Sequence, residues 1–168
     1  SKKEISLNPK DFDAEDFLKI NYYVRNSNKQ KQFRKSLIEE SKKLNNGDCV
    51  CAICEKKFSE QFLIASHIIP VSVLKEKNVN MPGNDIFNSN NGLLLCPNHD
   101  KLFDKIFISF DEDNKIILGN ISEEELDTFG LTKDFKLNKI YMTEDRKKNL
   151  RYHRNTLNLL NRIKSGDE

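Results

Sequence analysis

Cys51 and Cys54 are separated by two residues, as are Cys96 and His99, and the two pairs stand 41 residues apart, from 55 to 95. A two-residue spacer lets one tight turn aim two soft donors at a common point, and four such ligands satisfy the tetrahedral preference of Zn²⁺. A closed shell of four protein ligands leaves no position for water. The expected chemistry is therefore structural, a staple joining the first pair to the segment that begins at Pro97. Cys49 extends the first pair to Cys-x-Cys-x2-Cys, but its one-residue spacer is poorer ligand geometry, and it reads as a spare thiol. Buried thiols beside a surface histidine are the competing reading, and they leave two matched pairs unexplained.

Several further runs surround these ligands: Ala65-Ser-His67-Ile-Ile-Pro70, Asn91-Gly-Leu-Leu-Leu-Cys96-Pro-Asn-His99-Asp-Lys-Leu-Phe-Asp104, and Ile108-Ser-Phe110. Together with Cys51-Ala-Ile-Cys54 they resemble HNH endonucleases of the restriction-enzyme type. Gln32-Phe33-Arg34 resembles the helix that precedes the knuckle in that family, and Tyr152-His153-Arg154 its closing helix, so the resemblance spans roughly Arg25 to Leu157. It implies an α+β fold: a ββα-metal finger with structural zinc, flanked by N- and C-terminal helices. It also implies a DNA endonuclease that hydrolyses phosphodiester bonds with one metal ion, of the restriction or defence type.

The resemblance puts His67 at the position of the general base, where an ordinary imidazole pKa of about 6.5 suits proton transfer at neutral pH. Without that context, a lone histidine before Ile68-Ile69-Pro70 would read as a core residue. Asn91 matches the family's middle residue, and its amide is expected to orient the histidine; Asn91-Gly92 also reads as a simple positive-φ turn. The third position departs from the family, because Asp100 stands where a second histidine usually follows the zinc ligand. Asp100 and Asp104 lie four apart on an expected helix, share a face, and could grip one hard cation, Mg²⁺ or Mn²⁺. Ser66 is a second departure, since many relatives carry an Asp ligand there. These departures keep open a second reading, a non-catalytic zinc-stapled DNA-binding module with a degenerate HNH site.

The elements that must position these residues follow from pattern. Asp11 to Tyr23 suggests a short helix, and Ser27 to Leu44 a second one capped by Ser27 or Asn28, burying Phe33, Leu37 and Ile38 and stopped by Asn45, Asn46 and Gly47. From Cys49 to Val73 the text is β-like, with Phe62, Leu63, Ile64, Ile68 and Ile69 ahead of Pro70. Val79 to Asn91 reads as a loop, Leu93 to Leu95 as a strand, and Pro97 as the first turn of a helix reaching Phe103. Phe107 to Phe110 and Lys115 to Leu118 form a second expected hairpin. The segment from Thr143 to Lys164 should be a helix with Leu150, Leu157, Leu160 and Ile163 inward.

At 168 residues the chain supports one domain with a real core. That domain is expected at 25–168, with its zinc-stapled core at about 49–110 and an extension at 1–24 whose role is unreadable. Lys and Arg number 28 against 26 Asp and Glu, a net charge of +2, so bulk charge does not announce a nucleic-acid partner. The basic residues nevertheless cluster, at Lys29 to Lys35 and Arg146 to Arg154, where the plain reading is two solvated helix faces. With DNA implied as partner, Lys29, Lys31, Arg34, Arg151 and Arg154 become the expected phosphate contacts. One HNH site acts on one strand at a time, which makes a homodimer the expected route to double-strand cleavage. No apolar run approaches the ~20 residues that span a bilayer and no apolar signal core is present, so a cytoplasmic protein without membrane partners is expected.

Overall fold

The computed structural model describes residues 14–70 and 87–166, with side chains from Asn28 onward. Residues 1–13 and most of the expected Val79 to Asn91 loop lie outside the described residues. The first helix, α1, runs without interruption over Ala14–Leu44, through the expected cap at Ser27 or Asn28. Neither Gly nor Pro occurs in that span, so nothing in the backbone chemistry forces a break. It ends as its sequence predicts: Asn46 and Gly47 take positive φ of 53° and 91°, and the Gly47 amide donates to the Lys42 carbonyl at 2.8 Å.

Strands β1, Ile64–His67, and β2, Gly92–Leu95, pair antiparallel with His67 opposite Gly92. Helix α2, Pro97–Asp104, follows at once, which completes a ββα unit. Both α1 and α2 pack on the hairpin, and β2 is therefore buried along its whole length. Gly92 is extended, at φ −146°, rather than the positive-φ residue expected of an Asn-Gly turn. Space, not backbone freedom, demands glycine here: a Cβ would lie 2.3 Å from Phe33 Cζ on α1.

A second hairpin pairs β3, Ile108–Phe110, with β4, Ile116–Leu118, as expected. Helix α3, Glu123–Thr128, is not among the elements expected from the sequence. Ser122 and Glu125 form its capping box, a signal present in the residues but outweighed by their charge. The closing helix α4, Glu144–Ser165, is capped by Thr143. Leu150 and Leu157 are buried, but Leu160 and Ile163 are 47% and 65% exposed, against expectation. Beyond Leu157 the described contacts are polar: Asn161 donates to the Leu118 carbonyl and Lys164 to Asn120. The apolar stripe outruns the core available to it. No helix among the described residues is long and apolar enough to cross a membrane.

Arg146, at the start of α4, corrects the reading of its cluster as a solvated face, because its side chain is fully buried. Its guanidinium donates to the carbonyls of Gly92, Tyr141 and Ser89 at 3.0, 2.9 and 3.0 Å, and pairs with Glu40 of α1 at 2.8 Å. It thus ties both flanking helices to the segment that enters β2. Breaking one side of a buried pair leaves an uncompensated charge and open carbonyls, so Arg146→Met should cost about 3–5 kcal/mol. Denaturant titration of the two proteins checks this, and a loss below about 1 kcal/mol would make Arg146 a surface-type ion pair.

Candidate functional site

The four expected soft ligands converge. Donor atoms of Cys51, Cys54, Cys96 and His99 all lie within 4.8 Å of one another, and none of the cysteines is in a disulfide. A zinc tetrahedron with arms of about 2.3 Å has edges of about 3.8 Å, so this donor set fits Zn²⁺. The knuckle closes through Glu55, at φ 56°, whose amide donates to the Cys51 carbonyl. It docks on the hairpin through the Ala52 amide to the Leu94 carbonyl at 2.8 Å.

His99 turns Nδ1 toward Cys51 Sγ, 3.6 Å away, while Nε2–H donates to the Phe129 carbonyl at 2.9 Å. Such an outer partner fixes the tautomer and aims the ligand nitrogen. Nothing in the sequence singles out Phe129, which follows the short helix α3. The thiol of Cys51 hydrogen bonds to Cys96 and holds the latter's pKa below the usual thiol range, whereas that bond and burial push Cys51 up. A cation bound there would compete with protons for these sulfurs. Cys49 is buried, with burial raising its pKa, and stands outside the cluster, as its spacing predicts.

His67 ends β1, half-buried against α1. Its ring stacks on Phe33 at 4.2 Å between centroids and 10° between planes, and meets Phe87 edge-on at 5.8 Å. Its Nε2 lies 3.0 Å from Gln30 Oε1. Gln30 was not singled out in the sequence, although its spacing of three from Phe33 puts both on one helix face. Asn91 is buried, and its amide brackets Ile69: Oδ1 accepts from the Ile69 amide at 2.9 Å and Nδ2 donates to the Ile69 carbonyl at 3.0 Å. The Asn91 carbonyl accepts from the Ile68 amide at 2.8 Å. These bonds act on the backbone directly after His67.

Ser66 points to the opposite side of β1, toward Asp100 on α2. Its hydroxyl is buried and closes no hydrogen bond of normal geometry with any described residue. Asp100 is half-buried; burial raises its pKa, the facing Ser66 hydroxyl opposes this, and the Asp104 carboxylate adds to it. The Ser66 hydroxyl beside two mutually repelling carboxyls is an all-oxygen set that could hold a hard cation.

The five expected phosphate contacts divide. Arg34 donates from both terminal nitrogens to the carbonyls of Leu63 and Glu60, and Arg154 donates to the Phe110 carbonyl at 2.9 Å. Both guanidiniums clamp backbone. Lys29, Lys31 and Arg151 are exposed; Lys29 Nζ lies 5.9 Å from the centre of the Phe87 ring that also meets His67.

The family model described as HNH endonuclease matches residues 51–111, from the first zinc-type ligand to the end of β3. No match was found among curated proteins.

Proposed function

Since the chain carries an HNH endonuclease domain at residues 51–111, we propose that it hydrolyses phosphodiester bonds in DNA with one divalent cation, as a cytoplasmic restriction or defence nuclease. The observation that carries the reading is the end of β1. Two consecutive residues there serve opposite sides, His67 held by α1 and Ser66 facing Asp100 on α2. A phosphodiester lying across this strand end would meet a base on one side and a cation site on the other.

In this reading His67 takes the proton of the attacking water. Asn91 fixes the backbone that follows it. Asp100 and Asp104 would hold Mg²⁺ or Mn²⁺, which supplies Lewis-acid neutralisation of phosphate charge when bound. Lys29, Lys31 and Arg151 are the exposed cations for phosphate contacts, giving affinity without sequence readout. Double-strand cleavage would then use two copies of the chain.

The test is plasmid nicking across a metal series. Wild type should prefer Mg²⁺ or Mn²⁺, Asp100→Ala should lose on the order of tenfold or more in rate, and Asp100→His should gain with Ni²⁺ or Co²⁺. Unchanged rate and metal preference in Asp100→Ala would remove Asp100 from the site. Intact DNA binding without nicking in any metal would favour the non-catalytic module.

A further inference from the structure

We propose that Arg151 and Arg154 of α4 form a phosphate-binding pair across which Glu112 lies as a displaceable stand-in, so that Glu112 weakens the grip of this face on the DNA backbone. That the anion is DNA rests on the nuclease reading above; the pair and its carboxylate do not.

The two arginines lie three apart on one face of α4, beside a groove of about 330 Å³ that Lys147 and Lys148 also line. Other charges along this groove have partners nearer at hand. Lys147 pairs with Glu144 at 3.3 Å and Lys148 with Asp145 at 3.8 Å, both within α4. Asp111 Oδ1 accepts from the amides of Asp113 and Lys115 at 2.8 and 2.9 Å. Glu112 faces the arginines instead: its Oε1 lies 3.7 Å from Nη2 of Arg151 and 3.7 Å from Nη2 of Arg154. One anionic oxygen between two guanidiniums marks where a phosphate oxygen would sit. At 3.7 Å these are charge contacts, too long for hydrogen bonds, so Glu112 neutralises the two donors without satisfying them. A phosphate, with oxygens that guanidinium forks match in geometry, can do both.

The fold fixes both sides of this site. The Arg154 side chain is only 12% exposed, and its Nη1 donates to the Phe110 carbonyl at 2.9 Å, which holds the fork with Nη2 toward Glu112. Glu112 rides on the turn between β3 and β4, which is closed by the Asp111 amide to the Lys115 carbonyl at 2.8 Å and by Asn114 at φ 64°. The Glu112 side chain itself is 75% exposed, so the carboxylate can swing into water while the turn stays in place. Exposed ion pairs contribute little, and a polyanion therefore meets little resistance in displacing it.

The experiment measures binding of a fluorescent DNA duplex by zinc-loaded protein, without added Mg²⁺ or Mn²⁺, at about 0.1 M salt, where exposed charges more than about 10 Å apart are largely screened. Glu112→Gln removes the charge and keeps the shape. Glu124→Gln makes the same change in net charge at an exposed position on α3 and serves as the control. Glu112→Gln should bind the duplex about two- to fivefold more tightly, the range an exposed ion pair represents, while Glu124→Gln matches wild type. Arg151→Gln should bind more weakly and lower the slope of log affinity against log salt by about one. Adding Glu112→Gln to Arg151→Gln should then gain less than it does in wild type. No gain from Glu112→Gln, an equal gain from Glu124→Gln, an undiminished gain in the Arg151→Gln background, or no duplex binding by any of these proteins would overturn the proposal. The expected binding pattern without nicking in any metal would sink the nuclease reading and leave this pair standing as a DNA contact.

Discussion

Chelating the metal should unfold this protein rather than merely inactivate it. Structural zinc contributes on the order of 10 kcal/mol of apparent binding free energy in small domains, while a whole domain is stable by only about 5–15 kcal/mol. The position of the Cys51, Cys54, Cys96 and His99 cluster makes the loss general. It is the point at which the knuckle, the end of β2, the first turn of α2 and, through Phe129, the end of α3 are held together. Without a cation, the tie between the two ligand pairs is lost, and the knuckle keeps its turn bonds, the Ala52 contact to β2, the Val50 bond to Ser41 and the apolar packing of Val50, Ala52 and Ile53. Elemental analysis should find one zinc per chain, and far-UV circular dichroism should collapse as a strong chelator removes it. Cys96→Ser should behave like the stripped protein. Folded protein with no stoichiometric zinc and an unchanged melting temperature would contradict the assignment.

The staple was legible because ligand chemistry constrains spacing: two paired donors admit few other uses, and the fold brings them together as the pairs demand. The ββα order was legible for a related reason. Pro97 fixes the first turn of α2, and the apolar runs Ile64–His67 and Gly92–Leu95 pair as β1 and β2. What escaped the sequence were residues whose meaning depends on what lies across the core. Arg146 looked like its neighbours Lys147 and Lys148, and only the carbonyls of Ser89, Gly92 and Tyr141 single it out. His153 carried no signal of its own beyond the closing-helix motif. It is buried, stacks on Phe103 at 4.0 Å, accepts from Ser109 through Nδ1 and donates through Nε2 to the Phe103 carbonyl. Burial depresses its pKa to about 4, so it stays neutral as a cross-link between α4, α2 and β3.

Within the candidate site, the sequence singles out His67, Asn91 and Asp100 by type and order, but not which residues each of them touches. The amide of Asn91 grips Ile69, and α4 secures its neighbour Asn90 through Thr143 and Asn149. Gly92 suggested a turn, and is instead the clearance for Phe33. Each miss involves a distance between segments far apart in the chain, which one-dimensional spacing does not encode.

The central claim is that this ββα unit cuts DNA with His67 as its base. Losing a general base costs about 10² to 10⁴ in rate, an effect far larger than any expected on folding. His67 is only half-buried, and truncating it leaves the zinc cluster, Arg146 and the β1–β2 register in place. Affinity should also survive, because the proposed phosphate contacts come from Lys29, Lys31 and Arg151 rather than from the imidazole. The direct measurement is the initial rate of supercoiled plasmid nicking by zinc-loaded wild type and His67→Ala in Mg²⁺ or Mn²⁺, with DNA binding followed in parallel. Metal-dependent nicking by wild type and a loss of about 10² to 10⁴ in the variant, at similar DNA affinity, is the predicted result. Equal rates in the two proteins would contradict the assignment of His67, and no nicking by either would contradict the nuclease itself.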